Sequence, residues 1–116
     1  MDAIKLQKIG LTAGESKVYM ALLKIGSSTT GPIVDEAKVS RSKVYHIIER
    51  LMSKGLVTSI VKTKTKYFQA ADPHKLLEYL DNKEQEITRE RTSVIEWLPQ
   101  LELHQKLGVK EEAEIY

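Results

Sequence analysis

Between Ser40 and His46 the chain reads Ser-Arg-Ser-Lys-Val-Tyr-His, which gathers two permanent cations, two hydroxyls, a phenol and an imidazole in consecutive positions. If a helix begins at Ser40, the unpaired amides of its first turn favour an anion. Arg41 and Lys43 add positive charge there, and such groups bond to phosphate oxygens or to guanine edges. Ser40, Ser42, Tyr45 and His46 supply shorter donors and acceptors on the same turns. A second basic cluster, Lys62, Lys64 and Lys66, alternates with threonines. Alternation puts the three ammonium groups on one side wherever the chain stays extended, as a phosphate-binding hairpin requires. The chemistry implied is charge-assisted hydrogen bonding to a polyanion.

Residues for bond-breaking chemistry are missing. His46, His74 and His104 lie far apart in sequence, and without cysteine there is no zinc-ligand spacing. There is neither a glycine-rich phosphate loop nor a nucleophile elbow. Glu111 and Glu112 fall in a polar acidic tail, which reads as a solvated end and not as a general acid/base pair. No enzyme, cofactor or metal site is expected. The lack of cysteine excludes disulfides and suits a reducing, cytoplasmic setting. No apolar run is long enough to span a membrane, and the N-terminus carries no signal-like stretch.

At 116 residues one compact core is expected, and 41% hydrophobic content is enough to build it. The net charge of +2 conceals an asymmetry: residues 1-71 hold 12 Lys/Arg against five Asp/Glu, and 72-116 hold six against 11. A basic front and an acidic, leucine-bearing back imply two roles and a division near Asp72.

The elements that position the basic residues follow from the pattern. Thr12 and Glu15 have capping-box spacing ahead of a helix with Val18, Tyr19, Leu22, Leu23 and Ile25 on its apolar side, stopped by Gly26. Thr29 or Thr30 starts a helix of roughly two turns that tolerates Pro32 in its first turn and buries Ile33, Val34 and Ala37. After Lys38-Val39, Ser40 caps a longer helix to about Lys54, with Val44, Ile47 or Ile48, and Leu51 inward. Short helix, tight turn and longer basic helix is the helix-turn-helix order. The period then drops toward two, predicting a hairpin of Val57 to Lys62 and Thr65 to Ala70 whose turn lacks an Asn-Gly or Asp-Gly signal.

Asp72-Pro73 predicts a new helix, with Asp72 as cap and Pro73 at its first position. Leu77, Leu80, Glu84, Ile87, Arg91, Val94, Leu98 and Leu101 then recur at spacings of three and four, the rhythm of a paired helix, with the stretch from Leu77 to Leu98 as the expected interface. That is more stripe than one small head covers, so a second copy of the chain is the expected partner, parallel or antiparallel. Glu84 and Arg91 sit on the seam and can pair across it or loosen it. Pro99 should kink the helix, or break it near Trp97 or Leu98 ahead of a short final helix.

At Leu11 to Glu15, Ser40 to Tyr45 and Leu51 to Val57 the chain resembles the N-terminal domain of the TrmB family of transcriptional regulators. The resemblance spans roughly Ile9 to Leu80 and reaches no sugar-sensing domain, so sugar regulation is not carried over. It implies that the third helix and the wing meet DNA, through Ser40, Arg41, Ser42, Lys43, Tyr45 and His46 and through Lys62 to Lys66. Tyr45 is alternatively a partly buried residue that holds the helix in place.

The expected protein is thus mostly α with a small β-hairpin: a winged helix-turn-helix over 1-71, then a long C-terminal dimerisation helix and acidic tail over 72-116. Its expected partners are double-stranded DNA and a second copy. Two alternatives assign the same residues a different role. One is a winged helix that docks on a protein of the transcription machinery, and the other an oligomerising coiled coil with a small cap. Arg41 to Arg50 argues against the first, since protein-docking faces favour exposed aromatic or aliphatic anchors. The second leaves the basic head unexplained.

Overall fold

The computed structural model describes residues 3–115, with side chains described over 3–108. In chain order the elements are α1 (Ala3–Gln7), α2 (Ala13–Ile25), α3 (Thr30–Ala37), α4 (Arg41–Ser53), β1 (Val57–Lys62), β2 (Thr65–Ala70) and α5 (Lys75–Ile115). The fold is mostly helical, with one antiparallel hairpin and a long C-terminal helix. Two compact units are formed, Met1–Leu80 and Asp81–Tyr116. The side chains of Glu111 and Glu112 lie outside those described.

The first unit is built on α2. Its capping box is complete: the Glu15 amide donates to Thr12 Oγ1 at 3.1 Å, and the Thr12 amide donates to Glu15 Oε1 at 2.8 Å. Val18, Tyr19, Ala21 and Leu22 are buried, whereas Leu23, expected on the same face, is exposed. Gly26 ends the helix at φ 76°, a conformation that favours glycine. α1 carries no capping signal in the sequence; it is a five-residue helix that contributes one buried side chain, Leu6.

Thr29 and Ser40 occupy the N-cap positions of α3 and α4, but neither side chain bonds to a first-turn amide. The Ser40 hydroxyl instead lies 3.2 Å from that of Ser42. Between the helices Lys38 adopts the left-handed conformation at φ 57°, and its amide donates to Val34 O. α4 buries Val44, Ile47, Ile48 and Leu51 on one side. Replacing a fully buried leucine such as Leu51 by alanine costs about 2–5 kcal/mol. α4 ends in a Schellman arrangement: Gly55 takes φ 76°, its amide donates to Met52 O, and the Leu56 amide reaches back to Leu51 O.

β1 and β2 pair from Val57↔Ala70 to Lys62↔Thr65, with the strand limits that the sequence predicts. Thr63 and Lys64 both have positive φ, 49° and 63°, as a type I′ turn demands. Thr63, being β-branched, is strained there, and the turn forms without the Asn-Gly signal that would announce it. Ser28 exchanges two backbone hydrogen bonds with Phe68, of 2.9 and 2.7 Å, and so ties the α2–α3 loop to β2.

Asp72 does cap a turn: the His74 amide donates to its Oδ1 at 2.8 Å. That turn is closed by bonds from Lys75, Leu76 and Leu77 to residues three back, so α5 proper begins at Lys75. Tyr79 is buried in the core and Leu76 packs against that core, which extends the first unit to Leu80, beyond the division expected after Ala71. Of the two outcomes expected of Pro99, the break near Trp97 or Leu98 does not occur, and α5 runs through the proline. Proline removes one donor only, and the neighbouring Ile95, Trp97 and Leu98 are exposed, so water can take the freed carbonyl.

Glu15 has a second partner that the capping box does not reveal. Lys54 Nζ, at the end of α4, donates to Glu15 Oε2 at 2.7 Å, and Glu15 is fully buried. Burial alone would raise the carboxyl pKa, but donation from Lys54 and from the Thr12 amide outweighs it and holds the group below the usual glutamate range. Its stabilising effect is therefore complete above the ordinary glutamate pKa and is lost as pH falls through the lowered folded value. Glu15→Gln should lower unfolding free energy by about 1–3 kcal/mol at neutral pH, read from urea titration. The gap between variant and parent should shrink in acid; a gap that does not change with pH would contradict the ion pair.

Candidate nucleic-acid interface

With Val44, Ile47, Ile48 and Leu51 turned into the core, the helical period leaves the other residues of the first α4 turns outside. Ser40, Arg41, Ser42, Lys43, Tyr45 and His46 are all exposed, and all lie in one short stretch at the start of the helix. The partly buried reading of Tyr45 does not hold, since the residue is 59% exposed. Its hydroxyl lies 3.4 Å from Thr30 Oγ1 at the start of α3. Thr30 thus joins the polar surface beside Arg41, a position that sequence spacing treated only as a possible cap.

The hairpin presents Lys62, Lys64 and Lys66 at its turn end, all exposed. Their expected common side is not observed. Lys62 pairs with Thr65 and Lys66 with Val61, and successive pairs point to opposite faces, so Lys62 and Lys66 lie on different faces of the hairpin. The two-residue turn carrying Lys64 interrupts the extended run that alternation assumed. Lys66 shares its face with buried Phe68, and its ammonium sits 5.6 Å from that ring centroid. The wing therefore offers cations around its tip.

On the other side of α4 runs a groove that sequence reasoning missed. Lys43, His46 and Arg50, at spacings of three and four, form one wall. Gly14 and Lys17 of α2 and Lys38 of the inter-helix turn line the groove as well. Gly14 lies close to α4: a Cβ there would sit 2.9 Å from Ile47 Cδ1, the mobile end of that side chain. Its place in the capping sequence carries no sign of this, because the neighbour lies on another helix.

Along α5, Leu77, Leu80, Ile87, Val94 and Leu98 are exposed, as are Glu84 and Arg91 between them. Leu101, at the end of the same rhythm, is exposed, as are Ile95, Trp97, Leu103 and Leu107 outside it, so the apolar surface is broader than the seam read from spacing. Among the described residues no group of His, Cys, Asp or Glu is placed to hold a metal ion, and no helix is long and apolar enough to cross a membrane.

Residues 6–74 match the protein family described as sugar-specific transcriptional regulator TrmB. Over 74 residues the chain is 35% identical to the HTH-type sugar sensing transcriptional regulator TrmBL1 of Pyrococcus furiosus, covering 64% of this chain and 21% of that protein. The chain thus spans about a fifth of the length of this curated relative. Among solved structures it resembles TrmBL2, an archaeal chromatin protein described as showing a novel mode of DNA binding, with TM-score 0.67 and 22% identity over 84% of this chain and 38% of that one. It also resembles a possible transcriptional regulator from Methanosarcina mazei, with TM-score 0.60 and 14% identity over 82% and 85% of the two chains. At these identities the structural likenesses establish the fold.

Arg41 and Lys43 are exposed and form no ion pair among the described residues. Arg41→Ala and Lys43→Ala should each leave unfolding free energy within about 0.5 kcal/mol of the parent in urea titrations. A larger loss would mean that these side chains hold the helix in place, and are not poised for a ligand.

Proposed function

The chain belongs to the TrmB family of transcriptional regulators, non-catalytic DNA-binding proteins with a winged-helix domain, and from this premise we propose that it binds duplex DNA sequence-specifically as a homodimer. The observation that carries the reading is the division of α4 into a buried apolar side and an exposed, basic N-terminal half. A helix that reads the major groove needs this division, because its first turns approach base edges while its back stays anchored in a core. In this reading Arg41 and Lys43 meet guanine edges or nearby phosphates. Ser40, Ser42, Tyr45 and His46 supply shorter contacts around them. Lys62, Lys64 and Lys66 give the wing its hold on the backbone or the adjoining minor groove. Sugar sensing belongs to the description of the Pyrococcus relative and forms no part of the proposal.

Pairing through α5 is supported by the exposed stripe of Leu77, Leu80, Ile87, Val94 and Leu98, whose spacing suits a two-helix seam. Glu84 and Arg91 fall on that seam and fix its register by pairing across it. Two heads held by one seam would read half-sites one or more helical turns apart, roughly 34–36 Å for a single turn.

Selection of duplexes from a random pool, followed by titration of the selected and scrambled sequences, tests the function. The selected duplex should bind at least about a hundredfold tighter, and Arg41→Ala with Lys43→Ala should abolish that preference. Equal weak binding to every duplex, unaffected by the substitutions, would refute it. Light scattering tests the seam separately: the parent should be a dimer at micromolar concentration, and Ile87→Asp with Val94→Asp should give monomers. A monomeric parent would remove α5 from the proposal and with it the expectation of a palindromic site.

A further inference from the structure

The groove between α2 and α4 collects Lys17, Lys38, Lys43 and Arg50 from three separate segments of the chain, with His46 between them. No carboxylate lines it among the described residues, and none of these four cations has an ion-pair partner among them. Elsewhere in the same unit Lys24 pairs with Glu36 and Lys54 with Glu15, each at 2.7 Å. Gathering like charges in a concave surface raises the local positive potential and attracts anions.

We propose that this groove holds backbone phosphate of the duplex that α4 reads, extending the contact surface from the recognition helix to Lys17 of α2 and Lys38 of the turn. The inference rests on the DNA-binding reading. Its geometry follows from shared residues: Ser40 and Lys43 belong both to the exposed start of α4 and to the groove. A duplex seated on the first turns of α4 therefore brings its sugar-phosphate edge alongside the groove. Lys43 to Arg50 spans roughly 10 Å of helix, long enough to follow more than one phosphate. Such contacts fix the register of the protein on the duplex and carry no sequence information of their own. The contribution must consequently be the same for every duplex and must weaken with salt.

The test compares Lys17→Gln with Lys38→Gln against a control pair, Lys8→Gln with Lys24→Gln, which does not line the groove. Binding to selected and scrambled duplex is measured at several salt concentrations, and circular dichroism checks the fold. Neutralising Lys17 and Lys38 should reduce the slope of log affinity against log salt by about 4 for a dimer, two contacts being lost from each of its two heads, and should weaken both duplexes by the same factor of about ten or more near physiological salt. The control pair should leave slope and affinity close to the parent's. If the double variant does not fold, Lys17→Glu alone should still lower the slope by at least about 1. An unchanged slope, an equal drop in the control, or a loss confined to the selected duplex each overturns the proposal. In all three of those cases the parent still binds DNA. A parent that binds no duplex refutes the DNA-binding reading itself, and the groove's role falls with it.

Discussion

A glutamate carboxylate taken wholly out of water loses several kcal/mol of hydration unless donors replace the solvent around it. Glu15 meets that demand from two directions. The Thr12 amide, inside the same helix turn, satisfies one oxygen, and Lys54, 39 residues further on, satisfies the other. The lysine in turn lies 5.8 Å from the ring centroid of Tyr79, whose hydroxyl donates to Ile9 O at 3.3 Å. One buried charge thus connects the start of α2, the end of α4 and the first turns of α5. Losing Lys54 leaves one oxygen of a buried carboxylate unmatched, which favours arrangements of α2 and α4 that keep the pair intact.

That constraint acts on the functional end of α4 from behind. Lys54 fixes its C-terminus, and the Schellman turn at Gly55 sends the chain directly into the hairpin. Burial of Val44, Ile47, Ile48 and Leu51 holds its middle, where Ile47 lies beside Gly14 of α2. The first two turns of α4 then carry its densest group of exposed polar side chains, and there the sequence concentrates Arg41, Ser42, Lys43, Tyr45 and His46. The wing is held by a comparable device, the backbone bridge between Ser28 and Phe68. Anchoring is apolar or buried, whereas the presenting surfaces are basic and unpaired.

Local signals were legible in the sequence wherever the responsible residues are close together. Thr12 with Glu15, Gly26, and the limits of β1 and β2 could each be read from a few neighbouring residues. The burial of Val44 and Leu51 followed from periodicity, which left open whether Ile47 or Ile48 turns inward; both do. What escaped depends on distant neighbours or on backbone conformation. Lys54 as the partner of Glu15, Gly14 as a contact of Ile47, and the groove around Lys17 and Lys38 all require the tertiary fold. The distribution of Lys62 and Lys66 over two faces turns on positive φ at Thr63 and Lys64, which their side chains do not advertise. Pro99 misled in the opposite sense: proline is a strong local signal, but a long exposed helix absorbs the loss of one hydrogen bond.

The central claim is that the exposed N-terminal half of α4, with the wing, is the surface that meets DNA. Backbone amide NMR of the full chain, titrated with its selected duplex, examines that claim residue by residue. Ser40 to His46 and Lys62 to Lys66 should show the largest shift changes, while amides of the buried side of α2, such as Val18 and Leu22, should move little. Changes concentrated in Leu77 to Leu98, with the start of α4 and the wing unaltered, would contradict the account.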